Sequence, residues 1–229
     1  MFRIKICGIT SVGDGLMAVD AGADAVGLNF YGRSPRFITF QTARQIVAAL
    51  PKPVTKVGLF VDAEVEEVCR SFDELGLDLV QLHGNEPPEY LLRLGQRPVM
   101  RAFRLGGDGL RPVTEYLVRC SALEAVPKWV LLDAKVPGQY GGTGQTTDWS
   151  AAASYVQQGG LPPLVLAGGL TPANVAQAIH VVRPAAIDTA SGVEASPGHK
   201  DPVLVQAFVV AAQAGWDHEA AGSPASEWN

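Results

Sequence analysis

The chain is poor in cysteine and histidine and has no long apolar run, and each shortage closes off a class of function. Three cysteines, Cys7, Cys69 and Cys120, are odd in number and far apart, which argues against a disulfide framework. The histidines at 83, 180, 199 and 218 form no HxxH or HExxH pair, and there is no CxxC. The usual zinc spacings are therefore missing and no metal is expected. GxGxxG is absent from the first strand–helix unit, which weakens any nicotinamide reading. The longest apolar stretches reach about ten residues, roughly half of what a bilayer-spanning helix needs. Positive charge is not in excess: the net charge of −5 over 229 residues speaks against nucleic acid or an anionic membrane as partner. Met1-Phe2-Arg3-Ile4 runs directly into strand-like sequence without a signal-peptide pattern, so a cytoplasmic protein is expected.

What the chain does have is regular alternation. Short apolar runs at 2–7, 24–29, 54–60, 77–82, 97–103, 128–133, 163–167 and 185–189 predict strands. Amphipathic stretches at 11–21, 41–50, 63–75, 87–95, 112–122, 148–158, 172–182 and 199–214 predict a helix after each. Eight βα units in sequence imply parallel strands with crossover helices, and this length suits a closed (β/α)8 TIM barrel over residues 1–214. An open doubly wound sheet is the alternative architecture. Residues 215–229, rich in Gly, Ala, Ser and charge, are expected to form a flexible C-terminal tail.

In such a barrel chemistry sits at the C-terminal ends of the strands and in the loops after them. VLAGGLTPANV (165–175) reads as a strand, a Gly168-Gly169 pair and a helix start, with Thr171 as expected N-cap and Pro172 as first helical residue. AIDTASGVE (186–194) repeats the pattern one strand later with Ser191 and Gly192. Glycine turns after the seventh and eighth strands let bare backbone N–H groups face an anion, so a phosphate ester is the expected ligand and the barrel is of the phosphate-binding type.

Cys7 ends the first strand, and alternation puts it on the same face as Lys5, opposite Ile4 and Ile6. Gly8 follows it and would leave room for a ligand. Asp133 ends the sixth strand, where a carboxylate closing an apolar run needs a partner or a purpose. The loop after it has four glycines between Gly138 and Gly144. Arg33 and Arg36 follow the second strand, and an arginine there suits a substrate carboxylate. Gln81 and His83 end the fourth strand. Asp188, next to the glycine loops, would repel a phosphate and so suits a sugar hydroxyl or a loop contact. Cys69 and Cys120 fall within helical patterns and are assigned to packing.

KICGIT, GADAVGLNFYGRSPRFI, VGLFVD, VQLHGNE, LLDAKVPGQYGGTG, LAGGLTPANV and DTASGVEASPGHKD follow in order between about residues 3 and 214. Together they resemble the phosphoribosylanthranilate isomerases of tryptophan biosynthesis. The resemblance implies a cofactor-free Amadori rearrangement of an aminoaldose to a 1-deoxyribulose 5-phosphate aminoketose. It also implies that Cys7 is the general base at C2 of the ribose, Asp133 the general acid at the ring oxygen, and Arg36 the grip on the anthranilate carboxylate. Gly168, Gly169, Ser191 and Gly192 then fall in the phosphate loops, with Gln81, His83 and Asp188 as further substrate contacts. Thr189-Ala190 stands where many relatives have Val-Ser, a change that leaves backbone donors in place. The implied partner is a small phosphosugar, with the chain acting as monomer or homodimer. A free thiol near pKa 8.5 is mistuned as a base at neutral pH, and Lys5 is the candidate cation to favour thiolate.

Three other readings share these residues: a Schiff-base lyase or aldolase using Lys5 or Lys135, a histidine-pathway or dual-substrate aminoaldose isomerase, and a phosphosugar-binding module without turnover.

Overall fold

The computed structural model describes residues 2–133 and 149–222. Eight parallel strands close in sequence order: β1 (Ile4–Cys7), β2 (Ala25–Asn29), β3 (Thr55–Phe60), β4 (Leu79–Leu82), β5 (Val99–Arg104), β6 (Trp129–Asp133), β7 (Leu164–Ala167) and β8 (Ala186–Thr189). β8 returns to β1 through the register Lys5↔Asp188, and β1 meets β2 with Cys7 opposite Gly27. Closure leaves no open edge.

The strands are near-continuous apolar runs because both faces are covered. One face packs Ile4, Ile6, Val26, Leu28, Val130, Leu132 and Leu166 under the helices. The other forms an inner cluster of Ala25, Val57, Leu79, Met100, Trp129, Leu131 and Val165. Phe2 closes its lower end against Trp129, with ring centroids 5.0 Å apart.

Among the described residues eight α-helices surround the barrel: α1 (Val12–Asp20), α2 (Phe40–Ala49), α3 (Val65–Leu75), α4 (Pro88–Arg93), α5 (Arg111–Ala122), α6 (Ser150–Gln157), α7 (Val175–Val182) and α8 (Pro202–Gly222). Ser11 and Thr39 cap α1 and α2 through hydrogen bonds from Asp14 and Thr42 N–H. No helix among the described residues is long and apolar enough to cross a membrane.

Three expectations need correcting. α7 starts at Val175, not at the Thr171-Pro172 cap. A turn precedes it, in which the Asn174 side chain accepts from Thr171 N–H and donates to the Gly169 carbonyl. That side chain supplies the local hydrogen bonding expected of Thr171. The stretch from residue 199 first forms a hairpin, β9 (Glu194–Ser196) with β10 (His199–Lys200), and only then α8. α8 in turn runs through Gly215 to Gly222, where a tail was expected, and residues 223–229 of that tail lie outside the described residues. Gly215 is buried, and a β-carbon on it would sit 3.1 Å from Ala176 Cα and 3.2 Å from Ile179 Cδ1. The glycine marks close helix packing where the composition suggested a break.

Candidate active site

All ten site residues expected from the sequence line one cavity of about 570 Å³ at the C-terminal mouth of the barrel: Cys7, Arg36, Gln81, His83, Asp133, Gly168, Gly169, Asp188, Ser191 and Gly192. Arg33 is exposed and outside it. The glycine loop after Asp133, with Lys135 and residues 138–144, lies outside the described residues.

The base of the cavity is a buried ionic chain. Lys5 is wholly buried and donates to Asp188 Oδ1 at 2.9 Å, on the same strand face as Cys7 and close enough for the two to act on each other's charge. Gly27 makes this possible, since a β-carbon there would lie 2.6 Å from Cys7 Sγ and 3.1 Å from Lys5 Nζ. Burial works against the Lys5 charge, but Asp188 and Cys7 outweigh it and hold its pKa above the ordinary lysine value. For Cys7 burial is the larger effect. It pushes the thiol pKa up, although Lys5 pulls the other way. The poised thiolate expected at Cys7 is therefore opposed by its burial. A fully buried, ion-paired Lys5 is also a poor Schiff-base nucleophile, which weakens the lyase reading.

Gly8 follows Cys7 with φ +74°, and the place of its missing β-carbon is filled by the stem of Arg36. The glycine thus makes room for the arginine, not for ligand as expected. Arg36 donates through Nε and Nη2 to Glu194 at 2.7 and 2.6 Å. The loop before it is braced by Asn29, which donates to Ser34 Oγ and accepts from Tyr31 N–H.

At the end of β4 Gln81 is fully buried and its Nε2 lies 3.2 Å from His83 Nδ1. Burial first, then the charges of Arg104, Lys5 and Arg101, push the His83 pKa down to about 4. His83 is thus neutral at physiological pH, and with Nδ1 facing the amide it can present Nε2–H. Gln81 Oε1 is buried with no hydrogen-bond partner among the described residues.

The two glycine loops expected to face a phosphate set Gly168 at φ +93° and Gly169 at φ +67° beside the 3-10 turn Ser191–Val193. Gly192 admits no side chain, because a β-carbon would run into the Leu170 carbonyl. Thr189 ties the two loops by donating to that same carbonyl at 2.8 Å.

Arg104, at the end of β5, also lines the mouth and was not singled out from the sequence. Its signal was parity: Met100, Ala102 and Arg104 share a face, and the predicted strand stopped one residue short.

Fold and mouth together define a (β/α)8-barrel enzyme of the phosphate-binding type. Residues 4–211 match the model of the N-(5'-phosphoribosyl)anthranilate (PRA) isomerase family. A curated N-(5'-phosphoribosyl)anthranilate isomerase from Citrifermentans bemidjiense is 48% identical over 214 residues, 93% of this chain and 98% of that protein. The crystal structure of phosphoribosyl anthranilate isomerase from Thermotoga maritima is 42% identical with a TM-score of 0.81, covering 93% of this chain and 100% of the other. A structure of the enzyme with reduced 1-(o-carboxyphenylamino)-1-deoxyribulose 5-phosphate has 40% identity, TM-score 0.78 and the same coverage. Monomers generated from the dimeric T. maritima enzyme give 39% identity and TM-score 0.77, over 93% and 99% of the two chains. This chain belongs to the phosphoribosylanthranilate isomerase family.

Proposed function

We propose that this cavity carries out the family's reaction with Cys7 as general base and Asp133 as general acid. The reaction converts N-(5-phosphoribosyl)anthranilate to 1-(2-carboxyphenylamino)-1-deoxyribulose 5-phosphate in tryptophan biosynthesis. The observation that carries the residue assignment is a shared cavity. Cys7 from β1 and Asp133 from β6 line it together, with the glycine loops after β7 and β8 alongside.

Phosphate binds backbone donors around Gly168, Gly169, Ser191 and Gly192, and the anthranilate carboxylate meets Arg36. Asp133 gives its proton to the furanose ring oxygen, and the C1–O bond breaks to leave an iminium at C1. That cation acidifies the neighbouring C2–H, and Cys7 takes the proton. The C2–H electron pair becomes the enolamine double bond, which tautomerises to the ketone with a proton returned to C1. Burial of Cys7 disfavours its thiolate. The substrate's own cation, formed beside Cys7 after ring opening, favours it when it is needed. Lys5 adds a fixed positive charge on the protein side.

Positioned acid–base groups contribute about 10²–10⁴-fold each. Cys7→Ala and Asp133→Asn are expected to lower turnover by about that much while thermal unfolding stays that of a folded barrel. The assay follows loss of fluorescence from freshly made phosphoribosylanthranilate. Full activity in either variant removes that residue from the mechanism. Because both substrate and product are small phosphorylated metabolites, we assign the enzyme to the cytoplasm.

A further inference from the structure

The β9–β10 hairpin carries two buried charges that the reaction leaves unused. The Glu194 side chain is 4% exposed and that of Lys200 is fully buried. Glu194 accepts both Arg36 hydrogen bonds and a third from Lys200 Nζ at 2.8 Å. Lys200 Nζ also donates to the carbonyl of Ala190 at 3.0 Å, in the loop that carries Ser191 and Gly192. The hairpin is itself pinned, with Thr10 donating to the Gly198 carbonyl at 2.5 Å and Lys200 N–H to Asp14 at 3.3 Å.

Two physical points give this cluster a purpose. A loop arginine loses side-chain freedom when it grips a ligand, a cost that a preformed fork avoids. A single carboxylate would, however, cancel the arginine's charge and repel an anionic ligand. Lys200 corrects this, because two cations and one anion leave the cluster with one net positive charge. Burial works to neutralise Glu194, yet the hydrogen bonds from Arg36 and Lys200 outweigh it and hold its carboxyl below the ordinary glutamate value.

We propose that Glu194 is a positioning residue that fixes Arg36 for the aryl carboxylate of the substrate, while Lys200 keeps the cluster cationic and ties it to the phosphate cradle. This rests on the reading of Arg36 as the carboxylate-binding group. Ala190, Lys200, Glu194 and Arg36 then form one continuous chain of contacts between the two anion sites. That chain fixes their separation, and so selects ligands bearing both a phosphate and an aryl carboxylate.

The test compares two inhibitors, the reduced product analogue and the same phosphosugar with the ortho-carboxyl replaced by hydrogen. In Glu194→Gln the carboxylate-bearing inhibitor is expected to weaken about tenfold or more, as for loss of one charge-assisted contact, with the carboxyl-free one nearly unchanged. KM rises more than kcat falls. Arg36→Met gives the same selective loss, and the Glu194→Gln/Arg36→Met double variant loses no more than Arg36→Met alone. Equal weakening of both inhibitors by Glu194→Gln, or additive losses in the double variant, overturns the positioning role. Should Arg36→Met itself show no selectivity, the reading of Arg36 falls, and this inference with it. If Glu194→Gln does not fold, Glu194→Asp keeps the charge and the Lys200 pair but draws the carboxylate back from Arg36 by one methylene. The same selective loss supports the proposal there, and equal weakening of both inhibitors overturns it.

Discussion

At the lower end of the barrel the inward side chains include Ala25, Val57, Leu79, Met100 and Trp129, closed off by Phe2. Four residues further along, β2, β4, β5 and β6 present Asn29, His83, Arg104 and Asp133 to the mouth, and Lys5, Cys7 and Asp188 lie beneath them. The same strands and the same alternation build both ends. The floor gains stability from apolar area removed from water. The mouth instead buries charge, and each buried charge depends on a named partner. Stability should therefore respond to volume at the floor, and to pairing and pH at the mouth.

The sharpest way to break this contrast is Lys5→Met, which leaves Asp188 buried without its cation. Removing one member of a buried pair costs about 3–5 kcal/mol, measurable by urea unfolding. Lys5→Met/Asp188→Asn should recover much of that loss. The Lys5→Met variant should also alkylate with iodoacetamide only at higher pH than the parent, because the one cation beside Cys7 that opposes burial most is gone. An unchanged alkylation profile would separate the lysine from the thiol. At the floor, Leu131→Ala is expected to cost about 2–5 kcal/mol by cavity formation. It should leave the iodoacetamide profile where it was. A shift there would mean that the two ends are not independent.

His83 sharpens the comparison through pH. Its folded pKa of about 4 lies below the ordinary 6.5, so between these values the unfolded chain binds a proton that the folded one does not. Its contribution is fully present above pH 6.5 and is lost as pH falls toward 4, a drop of about 3 kcal/mol at 1.36 kcal/mol per pH unit. His83→Asn should flatten the unfolding free energy across that window. An identical slope in parent and variant would show that His83 is not the titrating group.

The eight strands were legible because parallel, doubly covered strands leave apolar runs that little else in a soluble chain imitates. Most of the site was legible for a related reason: once the strands are placed, the fold says where chemistry belongs, and Cys7, Gln81, Asp133 and Asp188 stand at strand ends. What escaped depends on pairs that meet only in space. Glu194 lies 158 positions from Arg36 in the sequence, and nothing local marks either as the other's partner. The state of Cys7 escaped for another reason. It is a difference between burial and the pull of Lys5, and strand position reports neither magnitude. Arg104 was missed by a one-residue error in a strand end, the least certain feature of any periodicity.

Gly215 tests the remaining disagreement at the smallest scale. Composition makes it the first residue of a loose tail, where a larger side chain would change nothing. In the folded protein it is a contact point between α7 and α8, with Ala176 and Ile179 closer to its missing β-carbon than ordinary van der Waals contact. Trp216 follows, with the Arg3 guanidinium 5.3 Å from its ring centroid, linking α8 back to the start of β1. Gly215→Val must therefore push two helices apart, at about 1–3 kcal/mol for overpacking. Backbone cost does not mask the result, since valine and glycine are both poor helix formers. A thermal midpoint lowered in step with that cost, with KM unaffected, marks the helix as part of the barrel's outer layer. An unchanged midpoint would return residue 215 to the tail.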